Sequence, residues 1–261
     1  MTVTIAEAAI LGAVQGVTEF FPISSSGHLV IMQGVFGIKE PQVAFDVFLH
    51  LGTLVSVLVF FRAEILALFV SRTRKLFMLA AASVPTFIIG FLSKGPVERY
   101  FGMPRLVGFM LLVTGAWLFA AVIFQRRRAV SGKAATQAEP GLWGALAIGV
   151  AQGVAVIPGI SRSGATIATG IMAGLEKRAA CAFSFLLSVP AVAGASMLKA
   201  RGITAGLAAS DAAQFAAGGI TAMITGVLAI KFLLKLVGVG RLYLFGIYCF
   251  LAGLAVIMFY R

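Results

Sequence analysis

The sequence predicts an all-α fold: a polytopic helical membrane protein with two inverted-topology repeats, each having three spans and one re-entrant broken-helix hairpin. Three observations predict it: the composition, six long apolar runs, and an internal duplication. Of the 261 residues, 60% are hydrophobic and only 11% are charged, and the mean hydropathy is +1.03. Because a soluble domain carries about 45–50% apolar and about 25% charged residues, lipid is the expected solvent for most of this chain.

Six segments are long and apolar enough to span a bilayer, which takes about 18 or more apolar residues. They lie near residues 44–61, 76–93, 104–124, 180–198, 211–234 and 240–260. Two further apolar regions, 4–37 and 142–174, are interrupted in the middle by residues rich in Ser, Gly and Pro. Each interrupted region is therefore predicted to be a hairpin that enters and leaves the membrane on one side.

The two interrupted regions are similar to each other in sequence. Gly12, Gln15, Gly16 and the stretch 24–27 align at one constant offset with Gly149, Gln152, Gly153 and the stretch 161–164. This predicts an internal duplication within a single membrane domain covering residues 1–261. Repeat one covers about residues 1–124, a polar linker covers 125–141, and repeat two covers about 142–261.

Charge predicts the topology of the repeats. Basic residues gather at 71–75 and 126–133, between apolar runs, as they do in cytoplasmic loops. Each repeat then has an odd number of spans, so the second is inserted upside down relative to the first, an arrangement known for membrane proteins with broken helices. The net charge of +12 does not indicate a nucleic-acid partner, because the sequence has no basic face interleaved with aromatic residues.

The first interruption places polar and ionisable residues where they are costly. Gln15 and Glu19 lie one helical turn apart and share a face, and Pro22 ends that helix. The turn that opens the next helix consists of Ser24, Ser25, Ser26 and Gly27, and its free N–H groups suit an anion. His28 follows. Ionisable residues inside a membrane mark a functional site by default, and the alternative is a surface loop with an interfacial histidine.

The second interruption has the same shape with a cation added. Arg162 stands at a predicted helix start, from which a guanidinium can grip phosphate through two hydrogen bonds. Its neighbours carry hydroxyl groups or no side chain: Ser161, Ser163, Gly164 and Thr166. The alternative is an arginine that extends to the membrane interface, but recurrence of the motif in both repeats favours a site.

Together the two interruptions would supply the parts of a phosphoryl-transfer site: cationic stabilisation, a nucleophile and a proton acceptor. A serine would attack with His28 as general base and form a phosphoserine that water hydrolyses; direct attack by water is the alternative. Asp46 and His50, one turn apart near a membrane end, fit a structural pair or a helix cap as well as a site role.

At these motifs the sequence resembles the undecaprenyl-diphosphate phosphatase, or bacitracin-resistance, family. The resemblance covers nearly the whole chain and is strongest over residues 15–28, 44–53 and 158–166. It implies a bacterial inner-membrane hydrolase that converts undecaprenyl diphosphate to undecaprenyl phosphate and phosphate. It also implies a multi-pass protein whose active site opens to the periplasm and recycles the lipid carrier for peptidoglycan synthesis.

The resemblance also implies roles for single residues. It makes Ser25 the nucleophile, His28 the general base and Arg162 the residue that grips phosphate, and it matches Gln15 and Glu19 to a glutamate motif. Activity in the family depends on a divalent cation, Mg²⁺ or Ca²⁺. Since Gln15 is neutral where some members carry Glu, only Glu19 is expected to be a carboxylate ligand, and the diphosphate would complete the coordination.

A membrane transporter or flippase for a lipid phosphate or other anion is the alternative function, because inverted repeats and broken helices are transporter features. A transporter needs no general base, so His28 would then be dispensable. The expected partners are a polyprenyl diphosphate lipid and the surrounding membrane lipids, without nucleic acid. Gly-rich spans also permit helix pairing between copies in a homo-oligomer.

Overall fold

The computed structural model describes residues 3–38, 42–93, 95, 103–132, 136–200 and 211–259. Over these residues the chain forms eleven α-helices and no β-sheet, which confirms the predicted all-α class. The helices are α1 (Ile5–Phe20), α2 (Ser25–Val35), α3 (Val43–Phe60), α4 (Arg62–Val70), α5 (Thr73–Leu92), α6 (Pro104–Val130), α7 (Leu142–Val154), α8 (Arg162–Met172), α9 (Lys177–Ala200), α10 (Ala212–Gly238) and α11 (Tyr243–Phe259).

Five of the described helices are long and apolar enough to cross a membrane: α3, α5, α6, α9 and α10. They confirm five of the six predicted spans. The sixth, predicted at 240–260, corresponds to α11, which has 17 residues and so lies at the short end of the range of about 17–25 residues for spanning helices.

Two elements differ from the sequence prediction. Helix α4 was not predicted, because Arg62 and Glu64 end the apolar run there; its Glu64 pairs with the buried Lys75 at the start of α5. Helix α6 continues to Val130, so the first residues of the predicted linker are helical. Arginine and glutamine are good helix formers, and the helix therefore extends beyond its apolar part.

Both predicted breaks are present, at residues 21–24 between α1 and α2 and at 155–161 between α7 and α8. Each contains a backbone conformation in the left-handed region, at Ser24 (φ 69°) and at Gly159 (φ 94°). A Cβ on Gly159 would lie 2.5 Å from the Val107 carbonyl oxygen, so only glycine fits this turn. Insertion of the two hairpins from opposite sides of a membrane stays a prediction.

The two repeats exchange partners. Helix α1 packs mainly against α10 of repeat two, and its counterpart α7 packs mainly against α5 of repeat one. The aligned glycines have the same role in these contacts: a Cβ on Gly12 would lie 2.3 Å from the Gly218 carbonyl oxygen, and one on Gly149 would lie 2.0 Å from that of Ala82. The close approach of these helices draws the two breaks toward the interior of one bundle.

Aromatic packing fixes the first break in the core. Phe20, the last residue of α1, is fully buried, and its ring meets the edge of Phe185 of α9 at 5.3 Å between centroids. The Cys249 thiol of α11 donates a hydrogen bond to the Pro22 carbonyl at 3.4 Å. These contacts hold the end of α1, and with it Glu19, against helices from repeat two.

Candidate active site

The Glu19 carboxylate is where three elements of the site meet. Its Oε2 accepts hydrogen bonds from Ser25 Oγ at 2.7 Å and from Gln15 Nε2 at 2.9 Å. Its Oε1 accepts one from Arg162 Nη2 at 2.5 Å. Glu19 is only 8% exposed. The structure therefore brings Gln15 of α1, Ser25 at the start of α2 and Arg162 at the start of α8 together around its buried charge.

Arg162 uses only one end of its guanidinium for that ion pair. Its Nη1 is buried and has no hydrogen-bond partner among the described residues. Leaving a buried donor unsatisfied costs about 1–3 kcal/mol, and more for a charged group. An anion beside Nη1 would satisfy it, and phosphate oxygens match guanidinium geometry.

The two turns carry the same internal contact. Ser24 and Ser26 hydroxyls lie 3.4 Å apart, and the aligned Ser161 and Ser163 hydroxyls lie 3.2 Å apart. The starts of the following helices differ, because Ser161 accepts a hydrogen bond from the Gly164 N–H of α8. Ser24 provides no such cap for α2, so the first N–H groups of α2 remain available for an anion.

The predicted substrate-binding residues of the second turn are bonded to protein instead. The Ser163 hydroxyl donates to the Phe21 carbonyl at 3.0 Å and so joins the two breaks. The Thr166 hydroxyl donates to the Arg162 carbonyl at 2.8 Å and lies 2.5 Å from the Ser184 hydroxyl of α9. The Ser161 N–H donates to the Thr114 hydroxyl of α6. These bonds hold Arg162 at the start of α8.

The two glycines of the predicted site allow close packing. A Cβ on Gly27 would lie 3.1 Å from Val107 Cγ1, and one on Gly164 would lie 3.0 Å from Ser161 Cβ. Both distances are shorter than ordinary van der Waals contact. Gly27 therefore lets α2 approach α6, and Gly164 lets the second turn close on itself.

His28 lies beside the turn but is engaged elsewhere. Its Nδ1 donates to the Ser24 carbonyl at 2.7 Å, and its Nε2 therefore accepts from the Tyr248 hydroxyl of α11 at 2.6 Å. The two rings stack with centroids 5.7 Å apart. In this arrangement both ring nitrogens of His28 are hydrogen-bonded, one of them to the backbone of Ser24, and its role as general base stays a prediction. Sequence reasoning missed Tyr248, which looks like any aromatic residue of an apolar span.

His50 lies closer to the centre of the site than the sequence indicated. Its Nδ1 donates to the Asp46 carbonyl at 2.7 Å, which leaves Nε2 as the nitrogen that faces Glu19 Oε2, at 3.9 Å. The side chain is 30% exposed. The Asp46 carboxylate instead accepts a hydrogen bond from Gln33 Nε2 at 2.8 Å. The one-turn spacing of Asp46 and His50 was the signal available in the sequence. The packing of α3 beside α1 places His50, and not the Asp46 carboxylate, next to Glu19.

The oxygen donors of the site fit a divalent cation that the substrate helps to bind. Gln15 Oε1 is buried and has no hydrogen-bond partner within the described ranges. Its amide nitrogen bonds Glu19, so one neutral oxygen and one carboxylate lie close together. Mg²⁺ and Ca²⁺ prefer such oxygen ligands. The described residues include no group of three or more His, Cys, Asp or Glu that could hold a metal alone. The remaining ligands would have to come from phosphate and water.

Comparison with known proteins places the chain in a family. The model of the bacitracin resistance protein BacA family matches residues 8–255. An undecaprenyl-diphosphatase of Desulforapulum autotrophicum is 44% identical, with 95% of each chain covered. The undecaprenyl-diphosphatase of Desulfosudis oleivorans is 42% identical, and the match covers 95% of each chain. That of Carboxydothermus hydrogenoformans is 41% identical, and the match covers 97% of this chain and 96% of the relative. With two interrupted helix pairs meeting at Glu19 and a match over nearly its whole length, this chain belongs to the BacA family of bacitracin resistance proteins.

Proposed function

We propose that this protein is an undecaprenyl-diphosphatase: an integral membrane phosphatase that converts undecaprenyl diphosphate to undecaprenyl phosphate and inorganic phosphate. The names of its relatives support the reaction and the substrate. One observation in this chain carries the proposal. The Glu19–Arg162 ion pair holds the Ser25 hydroxyl beside a guanidinium whose Nη1 has no partner among the residues that the structure describes.

The terminal phosphate of the substrate would bind between Arg162 Nη1 and the uncapped start of α2. Both provide donors, and the low exposure of Glu19 and Arg162 (8% and 16%) strengthens electrostatic interactions there relative to water. Such preorganised donors stabilise the charge on phosphate oxygens during transfer. The prenyl chain would extend from this point along the apolar surface of the bundle into lipid.

In the covalent route, Ser25 Oγ attacks the terminal phosphorus while its proton passes to Glu19 Oε2, the acceptor 2.7 Å away. The bond from this phosphorus to the bridging oxygen breaks, and undecaprenyl phosphate leaves with the electron pair. Water then attacks the phosphoserine, and the bond between phosphorus and Ser25 Oγ breaks. Inorganic phosphate leaves with the oxygen and protons of that water, and Glu19 returns its proton to Ser25 Oγ. If water attacks the phosphorus directly instead, Ser25 serves as a phosphate ligand.

A divalent cation, Mg²⁺ or Ca²⁺, is part of this proposal. Glu19 and Gln15 Oε1 are the protein oxygens that would hold it. When bound, it would offset negative charge on the diphosphate. The role of Arg162 is then to hold Glu19 in place and to bind the phosphate that is transferred.

The finer placement in the cell is also a proposal. We expect the protein in the bacterial inner membrane with its site open to the periplasm, where wall polymerisation releases undecaprenyl diphosphate. Accessibility of single cysteines introduced at the exposed Val35 and Val130 to a membrane-impermeant thiol reagent tests the orientation. The native Cys181 and Cys249 are buried and give the background.

The activity test is phosphate release from a prenyl diphosphate by the purified protein, with and without a chelator. We expect metal-dependent release that Ser25→Ala and Glu19→Gln abolish. Ser83→Ala is the matched control, because the Ser83 hydroxyl bonds the Leu79 carbonyl within α5 and no other residue that the structure describes. Absence of release by the folded wild type, with lipid binding retained, would overturn the proposal in favour of a transporter.

A further inference from the structure

A polar cavity that is partly open to the surface lies at one end of the bundle, apart from the Glu19 site. It has a volume of about 300 Å³ and is lined by Gln125, Glu176, Lys177, Arg178 and Gly238. These residues belong to the last turns of α6, the start of α9 and the end of α10. The cavity therefore opens between the ends of three membrane-spanning helices and shares no residue with the Glu19 site.

Two cations from α9 extend across this cavity toward α10 and the turn after it. A Cβ on Gly238 would lie 3.2 Å from Arg178 Nε, and one on Gly240 would lie 3.3 Å from Lys177 Nζ. Neither side chain forms an ion pair or hydrogen bond with any residue that the structure describes. Glu176 is the one acidic residue of the lining, and it is exposed at the rim.

Capping of α10 does not account for these cations. Lysine and arginine near a helix C-terminus often bond its last carbonyls. Here the carbonyls of Lys235, Leu236 and Val237 already accept hydrogen bonds from the backbone N–H groups of residues 239, 241 and 240. Lys177 is half-buried and Arg178 is exposed, and neither side chain has a partner within the part of the chain that the structure describes.

The surroundings of the cavity favour a lipid over a soluble anion. Further cations lie in the last turns of α6 and α10 and in the turn after α10: Arg126, Arg127, Arg128, Lys235 and Arg241. Beside them the surface is apolar, with Phe124 38% exposed and Val239 65% exposed. A ligand with a phosphate headgroup and acyl chains would satisfy both surfaces at once, and basic pockets between membrane helices bind such headgroups.

We propose that this cavity binds the headgroup of an anionic phospholipid such as phosphatidylglycerol. Lys177 and Arg178 contact the phosphodiester, Gln125 donates to its oxygens, and the acyl chains lie along α6 and the end of α10. The absence of side chains at Gly238 and Gly240 keeps the cavity open. The binding is independent of hydrolysis at Glu19.

The test is lipid binding by the purified protein in phosphatidylcholine nanodiscs, titrated with phosphatidylglycerol and followed by native mass spectrometry of the released complexes. We expect Lys177→Gln/Arg178→Gln to weaken binding roughly 30-fold, the combined effect of removing two cations near an anionic headgroup. The matched control is Arg62→Gln/Arg74→Gln, which removes the same charge from exposed ends of α4 and α5 and should leave binding within about 2-fold.

Equal weakening by both double variants would overturn the proposal, because net charge rather than the cavity would then decide binding. Displacement of the lipid by millimolar inorganic phosphate would also overturn it, in favour of a site for soluble phosphate. Circular dichroism checks that each variant is folded. Phosphate release measured in detergent should be unchanged in both, which separates failure of this proposal from failure of the proposed phosphatase activity.

Discussion

Arg162→Lys and Arg162→Ala separate the two functions assigned to this side chain. Nη2 pairs with Glu19 at 2.5 Å, and Nη1 is buried and bonded to no residue in the described part of the chain. Lysine carries its three N–H donors on one nitrogen, so an ammonium that keeps the ion pair with Glu19 leaves the position of Nη1 without a donor. We therefore expect Arg162→Lys to fold normally and to lose about 10²–10³ in kcat, the cost of removing one donor to a developing charge.

Arg162→Ala should in addition destabilise the fold. It leaves the 8% exposed Glu19 carboxylate with only the neutral donors Ser25 and Gln15. Breaking a buried ion pair from one side costs about 3–5 kcal/mol, and access of water to Arg162, which is 16% exposed, argues for about 3 kcal/mol. At about 2–4 °C per kcal/mol for a chain of this size, Tm should fall by about 6–12 °C.

Phosphate release and thermal unfolding in detergent, measured on the same samples, test both statements. The double variant Arg162→Ala/Glu19→Gln should regain most of the lost stability, because no uncompensated charge remains, and should stay inactive. Arg162→Lys with kcat within 10-fold of wild type would refute the role of Nη1. Arg162→Ala with an unchanged Tm would refute the role of the ion pair.

Three further predictions concern the nucleophile, the packing and the metal. Acid quenching during turnover of a substrate labelled in its terminal phosphate should leave label on the wild type and on Ser26→Ala but not on Ser25→Ala; label retained by Ser25→Ala would contradict the assignment. Gly12→Ala should destabilise the folded protein by about 1–3 kcal/mol or more, since its Cβ would lie 2.3 Å from a backbone oxygen of α10. The control Gly219→Ala, whose Cβ would have one neighbour at 3.8 Å, should not lower the stability. Equal unfolding temperatures for the two variants would argue against the close packing of α1 and α10. Gln15→Glu should lower the Mg²⁺ concentration for half-maximal phosphate release by adding a second carboxylate to the site, and an unchanged concentration would place the cation elsewhere.

The sequence predicted the helical class and the meeting of Glu19 with Arg162 because both rest on local signals. A charged residue within an apolar run has few places to be stable in a membrane, and the repeated Ser–Gly turns indicate that two such runs belong together. The spans followed from length and hydropathy alone. Helix α4 did not, because its charged first turn ends the apolar pattern without ending the helix.

Contacts between distant segments that no repeated motif marks could not be read from the sequence. The bond of His28 to Tyr248 joins residues 220 positions apart and depends on how α11 packs beside the first turn. The approach of His50 to Glu19 depends on the rotation of α3 relative to α1. Both change the chemistry, since the first occupies the expected general base and the second adds an imidazole beside the carboxylate.

The exchange of partners between the repeats bears on how such a site could arise. At the constant offset of the duplication, the position of Glu19 is occupied by Val156 in repeat two, and that of Arg162 by Ser25 in repeat one. Neither repeat therefore holds both the carboxylate and the guanidinium. Two copies of repeat one would bring together two carboxylates and two serine hydroxyls, and two copies of repeat two would bring together two guanidinium groups. If the two repeats descend from one unit, as the sequence predicts, the pair of Glu19 and Arg162 requires two copies in one chain, so that each copy can change without its counterpart changing too.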